Sequence, residues 1–112
     1  MNPARGEIWM INLNPAKGRE QTGIRPAMII SVNGFNNSAA DLIIAVPITS
    51  KKREIPLHVR LEPEESGLKV ESFVKCEDIR SISKSRLMEK LGIVPENKME
   101  EVERKLKLLL GL

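Results

Sequence analysis

The chain has 112 residues, 41% hydrophobic and 29% charged, with a formal net charge of +3. That length buries one core and reads as a single domain over residues 1–112. No run approaches the roughly 18 apolar residues of a membrane span, and one cysteine (Cys76), one histidine (His58) and two aspartates exclude an internal disulfide and leave too few ligands for a Cys/His zinc site.

The opening Met1-Asn2-Pro3-Ala4-Arg5-Gly6-Glu7 lacks the apolar core of a signal peptide, so the expectation is a cytoplasmic protein without membrane contact, metal or other cofactor. Residues 6–13 read as a first strand, ended by Asn14-Pro15. A polar segment follows, Gly18-Arg19-Glu20-Gln21-Thr22-Gly23-Ile24-Arg25-Pro26, with its two glycines placed as hinges. A charged loop anchored at Arg25-Pro26 on a rigid strand is where a small β protein keeps its chemistry. Residues 25–33 form a second strand, apolar enough to be covered on both faces. Asn33-Gly34 and Asn36-Asn37-Ser38 mark a turn.

Residues 41–48 form a third strand, and Thr49 to Glu54 a second polar loop. In residues 56–62, Leu57, Val59 and Leu61 alternate with His58, Arg60 and Glu62, the pattern of a half-exposed strand. Pro63 to Gly67 is a turn. Residues 70–77 make a fifth strand with Phe73, Lys75 and Glu77 on one face, and residues 78–83 read as a 3₁₀ turn or a short strand. From Pro95 onward Met99, Val102, Leu106 and Leu109 form one helical stripe, with acids early and bases late, as the helix dipole favours. The pairs Glu100–Arg104, Glu101–Lys105 and Glu103–Lys107 have i,i+4 spacing, Gly111 suits a cap, and Leu108 and Leu110 widen the stripe enough for a subunit contact. Short strands separated by turns, closed by one helix, indicate a mainly β fold: a small barrel or highly curved sheet.

Charge is uneven. Residues 1–60 carry eight Lys/Arg against four Asp/Glu, and residues 61–112 carry ten against eleven, so the positive excess lies with the polar loops. That favours an anionic partner as much as it describes a solvated basic surface.

Three motifs in order give the chain a resemblance that covers nearly its whole length. Arg5-Gly6-Glu7-Ile8-Trp9 leads into Gly18 to Ala27; Val46-Pro47-Ile48-Thr49-Ser50 follows; Glu77-Asp78-Ile79-Arg80-Ser81-Ile82 with Arg86-Leu87 and Gly92 completes the set. The chain resembles the MazF/PemK family of toxin endoribonucleases. The resemblance implies an SH3-like, CcdB/PemK-type barrel of five to seven strands with a C-terminal helix. It also implies a homodimer, metal-free cleavage of single-stranded RNA, and a small cognate antitoxin that blocks the site. Arg25 and Thr49 take the family's main catalytic positions, and Lys75-Cys76-Glu77 matches a basic–acidic pair that moves protons in part of the family. Arg19, Glu7 and Asp78 depart from the residues common there.

Metal-free cleavage uses the substrate's own 2′-OH as nucleophile. It needs a base for that hydroxyl, a proton for the departing 5′ oxygen, and positive charge on the phosphorane. The planar fork of Arg25 grips two phosphate oxygens, and Pro26 holds its backbone extended; the plain alternative is an ion pair with Glu20 or Glu7. Thr49 and Ser50 hold a phosphate or close a turn. Glu20 and Glu77 compete as base, and Lys75 with Glu77 is equally an ordinary exposed ion pair. Gln21 reads a base edge or holds its loop. Lys51, Lys52 and Arg53 attract RNA phosphates or form a solvated loop, and Arg80 is carried as a substrate contact. Trp9 reads as core or interface, Phe35 as the better stacking platform, His58 as an exposed strand residue and Cys76 as core. The rival function is a CcdB-like inhibitor of DNA gyrase acting through the C-terminal helix, and a third is a barrel that binds RNA without cutting it.

Overall fold

The computed structural model describes residues 2–14, 18 and 23–112. Among the described residues, seven strands form one antiparallel sheet: β1 (Glu7–Asn12), β2 (Ile24–Ile29), β3 (Leu42–Thr49), β4 (His58–Leu61), β5 (Ser72–Lys75), β6 (Arg80–Ser83) and β7 (Leu87–Ile93). Short helical turns α1 (Asn33–Asn36) and α2 (Pro63–Ser66) interrupt them, and α3 (Glu96–Leu110) ends the chain. The strand order is β4-β5-β3-β2-β1-β7, with β6 also on β3. The class is therefore mainly β with a C-terminal helix, as expected, but the sheet curves without closing: β4 and β7 are its two ends.

β3 organises the sheet. Ala45 to Pro47 pair with β2, Leu42 to Ala45 pair with β6, and Ile48 and Thr49 pair with β5. Pro47 has no N–H to give a ladder and sits where β3 passes from β6 to β5. The sheet therefore splits at the end of β3, and the split leaves room for a site.

Period-two alternation sends side chains of the same strands to opposite faces. Ile8, Met28, Val46 and Ile48 join Val59, Leu61 and Val74 in one buried cluster; Trp9, Ile11, Ala27, Ile29, Ile43 and Ala45 join Ile82 and Leu87 in the other. This is why β2 reads as covered on both faces. Val102 and Leu106 of α3 complete the first cluster, and Met99 packs against it. The stripe then runs out: Leu109 is 39% exposed and Leu108 75%. Pro95 is the N-cap rather than the first helical residue, and Gly111 caps the other end with φ +72°, donating its N–H to the Lys107 carbonyl. Two acids of α3 have partners other than their i,i+4 bases: Glu103 pairs with Arg5, which also holds the Ile30 carbonyl, and Glu101 lies 3.9 Å from Lys98.

Strand readings are corrected in two places, and the first is the second strand, which ends at Ile29 rather than at residue 33, where α1 begins. The fifth strand stops at Lys75, because residues 76–78 wind into a 3₁₀ turn, so Glu77 lies on that turn and Val70 lies before the strand. The ambiguous segment then resolves into both forms, the 3₁₀ turn and β6. β7 has no counterpart in the elements read from the sequence; four of its seven residues, Met88, Glu89, Lys90 and Ile93, are exposed, so its apolar alternation is blunted.

Candidate functional site

β2 and β3 run antiparallel with Ala27 opposite Pro47. Carrying that register two residues further brings Arg25 opposite Thr49, at the place where the sheet splits. Across the split, β4 and β5 pair with His58 opposite Lys75. The 3₁₀ turn after Lys75 then bends Glu77 back toward His58. Six segments thus surround one cavity of about 380 Å³, lined by Arg25, Thr49, His58, Lys75 and Glu77, with Lys51, Arg53 and Ile55 from the loop after β3.

Four of these side chains are cationic and one is a carboxylate. Such a lining attracts a phosphodiester and repels a metal ion. Thr49 is 8% exposed, and its Oγ1 accepts the Lys51 N–H at 3.2 Å. The turn-closing hydrogen bond expected of Thr49 is therefore present. It occupies a lone pair of the hydroxyl and leaves the O–H as a donor.

His58 is the residue the sequence reading missed. Its side chain is 2% exposed, not solvated, and its Nε2 lies 2.8 Å from Glu77 Oε2. Its Nδ1 is buried and finds no hydrogen-bond partner among the described residues. Alternation correctly put His58 on the face opposite Val59, but that face is inside the cavity at this end of β4. The chain's sole histidine, aligned with Lys75-x-Glu77 across a hairpin, was the available signal. Cys76, between Lys75 and Glu77, is fully buried. Burial, with the Glu77 carboxylate nearby, pushes its thiol up to about 12, so it stays protonated and takes no part in chemistry.

A second cavity of about 310 Å³ shares Arg25 and Thr49 with the first. Its walls are mainly apolar, from Met10, Pro26, Ile48, Leu68 and Leu91, with Ser50, Lys69 and Val70 at its exposed rim. Ser50 therefore faces the apolar hollow rather than the cationic one. Arg80 lines neither cavity: it lies beside Ala45, and its Nη2 donates to Asp78 Oδ2 at 3.0 Å. The structure places Arg80 apart from the side chains that line the two cavities. Glu20 and Gln21 fall outside the described residues. At the flanks of their segment, Gly18 and Gly23 both have positive φ, +61° and +86°, where a Cβ would be strained. Leu13 N–H donates to the Gly23 carbonyl at 2.9 Å, and Gly23 N–H to Asn14 Oδ1 at 2.9 Å, which fixes the chain two residues before Arg25.

Glu7 lies beyond either cavity. Its carboxylate accepts from Lys90 Nζ and Trp9 Nε1, both at 2.9 Å, and from the Ala4 N–H at 2.8 Å. Burial pushes its pKa up, but these three donors together outweigh burial and hold it below the ordinary carboxylate value.

Residues 4–110 match the family of PemK-like, MazF-like toxins of type II toxin–antitoxin systems. A crystal structure of MazF from Deinococcus radiodurans superposes with a TM-score of 0.88 at 34% identity, covering 100% of this chain and 99% of that one. The MazE-MazF complex of the same organism gives 0.83 at 32% identity, covering 100% and 98%. An endoribonuclease from a mycobacterial species, solved in complex with its cognate antitoxin, gives 0.78 at 25% identity, covering 99% and 95%.

Proposed function

This chain belongs to the PemK-like, MazF-like toxins of type II toxin–antitoxin systems, and from that premise we propose that it is a metal-independent, sequence-selective endoribonuclease cutting single-stranded RNA by 2′-OH attack. The observation that carries the reading is the convergence of Arg25, Thr49 and a His58–Glu77 pair in one cation-lined cavity.

The roles follow from the chemistry of each group. The Arg25 fork holds two non-bridging oxygens of the scissile phosphate and gains strength as the phosphorane accumulates charge. The Thr49 hydroxyl donates to the same phosphate. Glu77 takes the proton of the 2′-OH, and His58 orients that carboxylate through Nε2 and shares the charge as the proton moves. Lys75, opposite His58, supplies the proton for the departing 5′ oxygen. The 2′ oxygen forms a bond to phosphorus as the bond to the 5′ oxygen breaks, leaving a 2′,3′-cyclic phosphate and a 5′-hydroxyl. Lys51 and Arg53 draw the strand in.

A MazF relative is solved as a MazE-MazF complex and a mycobacterial endoribonuclease with its cognate antitoxin, which supports a cognate antitoxin for this chain; the homodimer as its working form rests on the family resemblance alone. A short neighbouring reading frame with an acidic tail is the cheapest check on that partner. For the activity, wild type, Arg25→Ala and Thr49→Ala are each given a single-stranded RNA pool in EDTA, and new 5′-hydroxyl ends are counted by direct kinase labelling. Wild type alone is expected to cut. Equal cleavage by all three sinks the site assignment, and an inactive wild type that stalls gyrase revives the CcdB-like alternative.

A further inference from the structure

The reaction proposed for the cationic cavity leaves its apolar neighbour without a role. We propose that the second cavity takes one nucleobase of the RNA, that of a nucleotide adjoining the scissile phosphate, and so sets base preference at that position. The proposal rests on the endoribonuclease reading and adds a subsite to it.

The first argument is position. Arg25 and Thr49 line both hollows. A phosphate held by that pair leaves the attached nucleoside within reach of the other side. The second is chemistry. A base has an apolar face and a polar edge. The first cavity is charged almost throughout, whereas half-buried Met10, Pro26, Leu68 and Leu91 give the second aliphatic walls, and the Ser50 hydroxyl and Lys69 ammonium at its rim suit a base edge. Strand binders usually stack bases on aromatic rings, but this chain has no tyrosine, one tryptophan and two phenylalanines, and none of these lines either cavity. The third is size. A hollow of about 310 Å³ stands at the small end of ligand pockets, which suits a ring system and not a folded segment.

The fourth argument is that the hollow exists before any ligand arrives. Gly67 follows α2 with φ +78°, and a Cβ there would lie 2.4 Å from the Leu91 carbonyl oxygen. A Cβ on Gly92 would lie 2.3 Å from the Ser66 carbonyl oxygen. Two glycines thus press backbone against backbone, and they hold the loop of Leu68 at a fixed separation from Leu91 on β7. Walls held this way lose little freedom on binding.

The test uses short single-stranded oligonucleotides methylated at every 2′-OH, so that binding is read without cleavage, with an abasic residue placed at each position in turn. For the wild type, one position is expected to lose affinity by roughly tenfold or more when its base is removed. Val70→Trp fills the hollow from a position that is 55% exposed, and Lys69→Trp fills it from beside that position. In both, intact and abasic strands are expected to bind alike. An abasic effect of the same size in wild type and filled variants, or none at any position, overturns the proposal. So does a filled variant that keeps the abasic effect and changes only its sedimentation, which marks a subunit contact, or only its affinity for an acidic antitoxin peptide. An abasic effect that persists in a wild type unable to cut the matching RNA overturns the enzymatic reading and leaves the base pocket standing.

Discussion

The two cavities meet at Arg25 and Thr49, yet they are built from different parts of the chain. The cationic cavity is made by side chains: strand ends and one 3₁₀ turn bring in Arg25, Lys75, Glu77 and His58 from four separate elements. The apolar cavity is made by backbone placement, because the Gly67–Gly92 contact decides how far Leu68 stands from Leu91. Attraction in the first weakens with salt; contact in the second does not. Rate and base preference should therefore separate under mutation.

The sharpest way to break this contrast is at the shared wall. Arg25→Ala removes the cation proposed to meet the phosphorane, and cleavage is expected to fall about 10²–10³-fold, the usual loss for one such donor. The melting temperature should stay near that of wild type, since Arg25 lies at the start of β2 and outside both buried clusters. Single-turnover cleavage beside a thermal melt checks both halves. Next in size is the proposed proton-transfer pair. Glu77→Gln keeps the shape and removes the proposed base, and His58→Gln keeps a donor and removes the imidazole. A loss of about 10²-fold in cleavage is expected for each, with oligonucleotide affinity retained. If the double variant is no worse than either single one, the two act as a unit; if the losses multiply, the pairing inferred from the 2.8 Å contact is wrong.

The apolar side answers to backbone changes. Gly92→Ala places a methyl group against the Ser66 carbonyl, and neither backbone can yield without moving α2 or β7. A destabilisation of roughly 1–3 kcal/mol is expected by denaturant unfolding, the usual scale of overpacking. In the surviving folded fraction, cleavage per molecule should hold while base preference broadens. Unchanged preference with the loss of stability would show that the glycine contact and the hollow are independent.

Much of this molecule was legible in the sequence. Alternation at Val59 and Leu61, the doubly apolar run of β2, and the Val102–Leu106 stripe each report burial that local periodicity dictates. Arg25 and Thr49 were legible through their motifs, and β3's register explains why residues twenty-four apart in sequence meet. What was hidden depends on tertiary closure. His58 looks exposed because alternation tells which face a residue takes and not what covers that face. β7 was hidden because it lies at the sheet's end, where one side chain in two has no core to fill. Arg80 follows Glu77 by three residues in its motif, but register on β6 sets it beside Ala45 and outside the lining of either cavity. The apolar cavity was invisible because its defining contact is between two glycines.

The mildest test reaches the contrast from a distance. Glu7 ties β1 to Lys90, next to Leu91 in the wall of the apolar cavity, and touches nothing in the cationic one. Its folded pKa lies below the ordinary carboxylate value. The fold therefore favours its ionised form, and this stabilisation is complete above the unfolded value and vanishes as pH falls through the folded one. Glu7→Gln is accordingly expected to lower stability by about 1.5–3 kcal/mol at pH 7, the scale of hydrogen bonds to a charged group, and by much less once acid has protonated the wild-type carboxyl. Thermal melts of the two proteins at neutral and acid pH give the comparison, and a gap that does not narrow with acid would mean that packing around Trp9, rather than charge, is what Glu7 supplies. At neutral pH the same variant should disturb base preference before it disturbs rate, because the strand it releases carries Leu91 and no group that meets the phosphate.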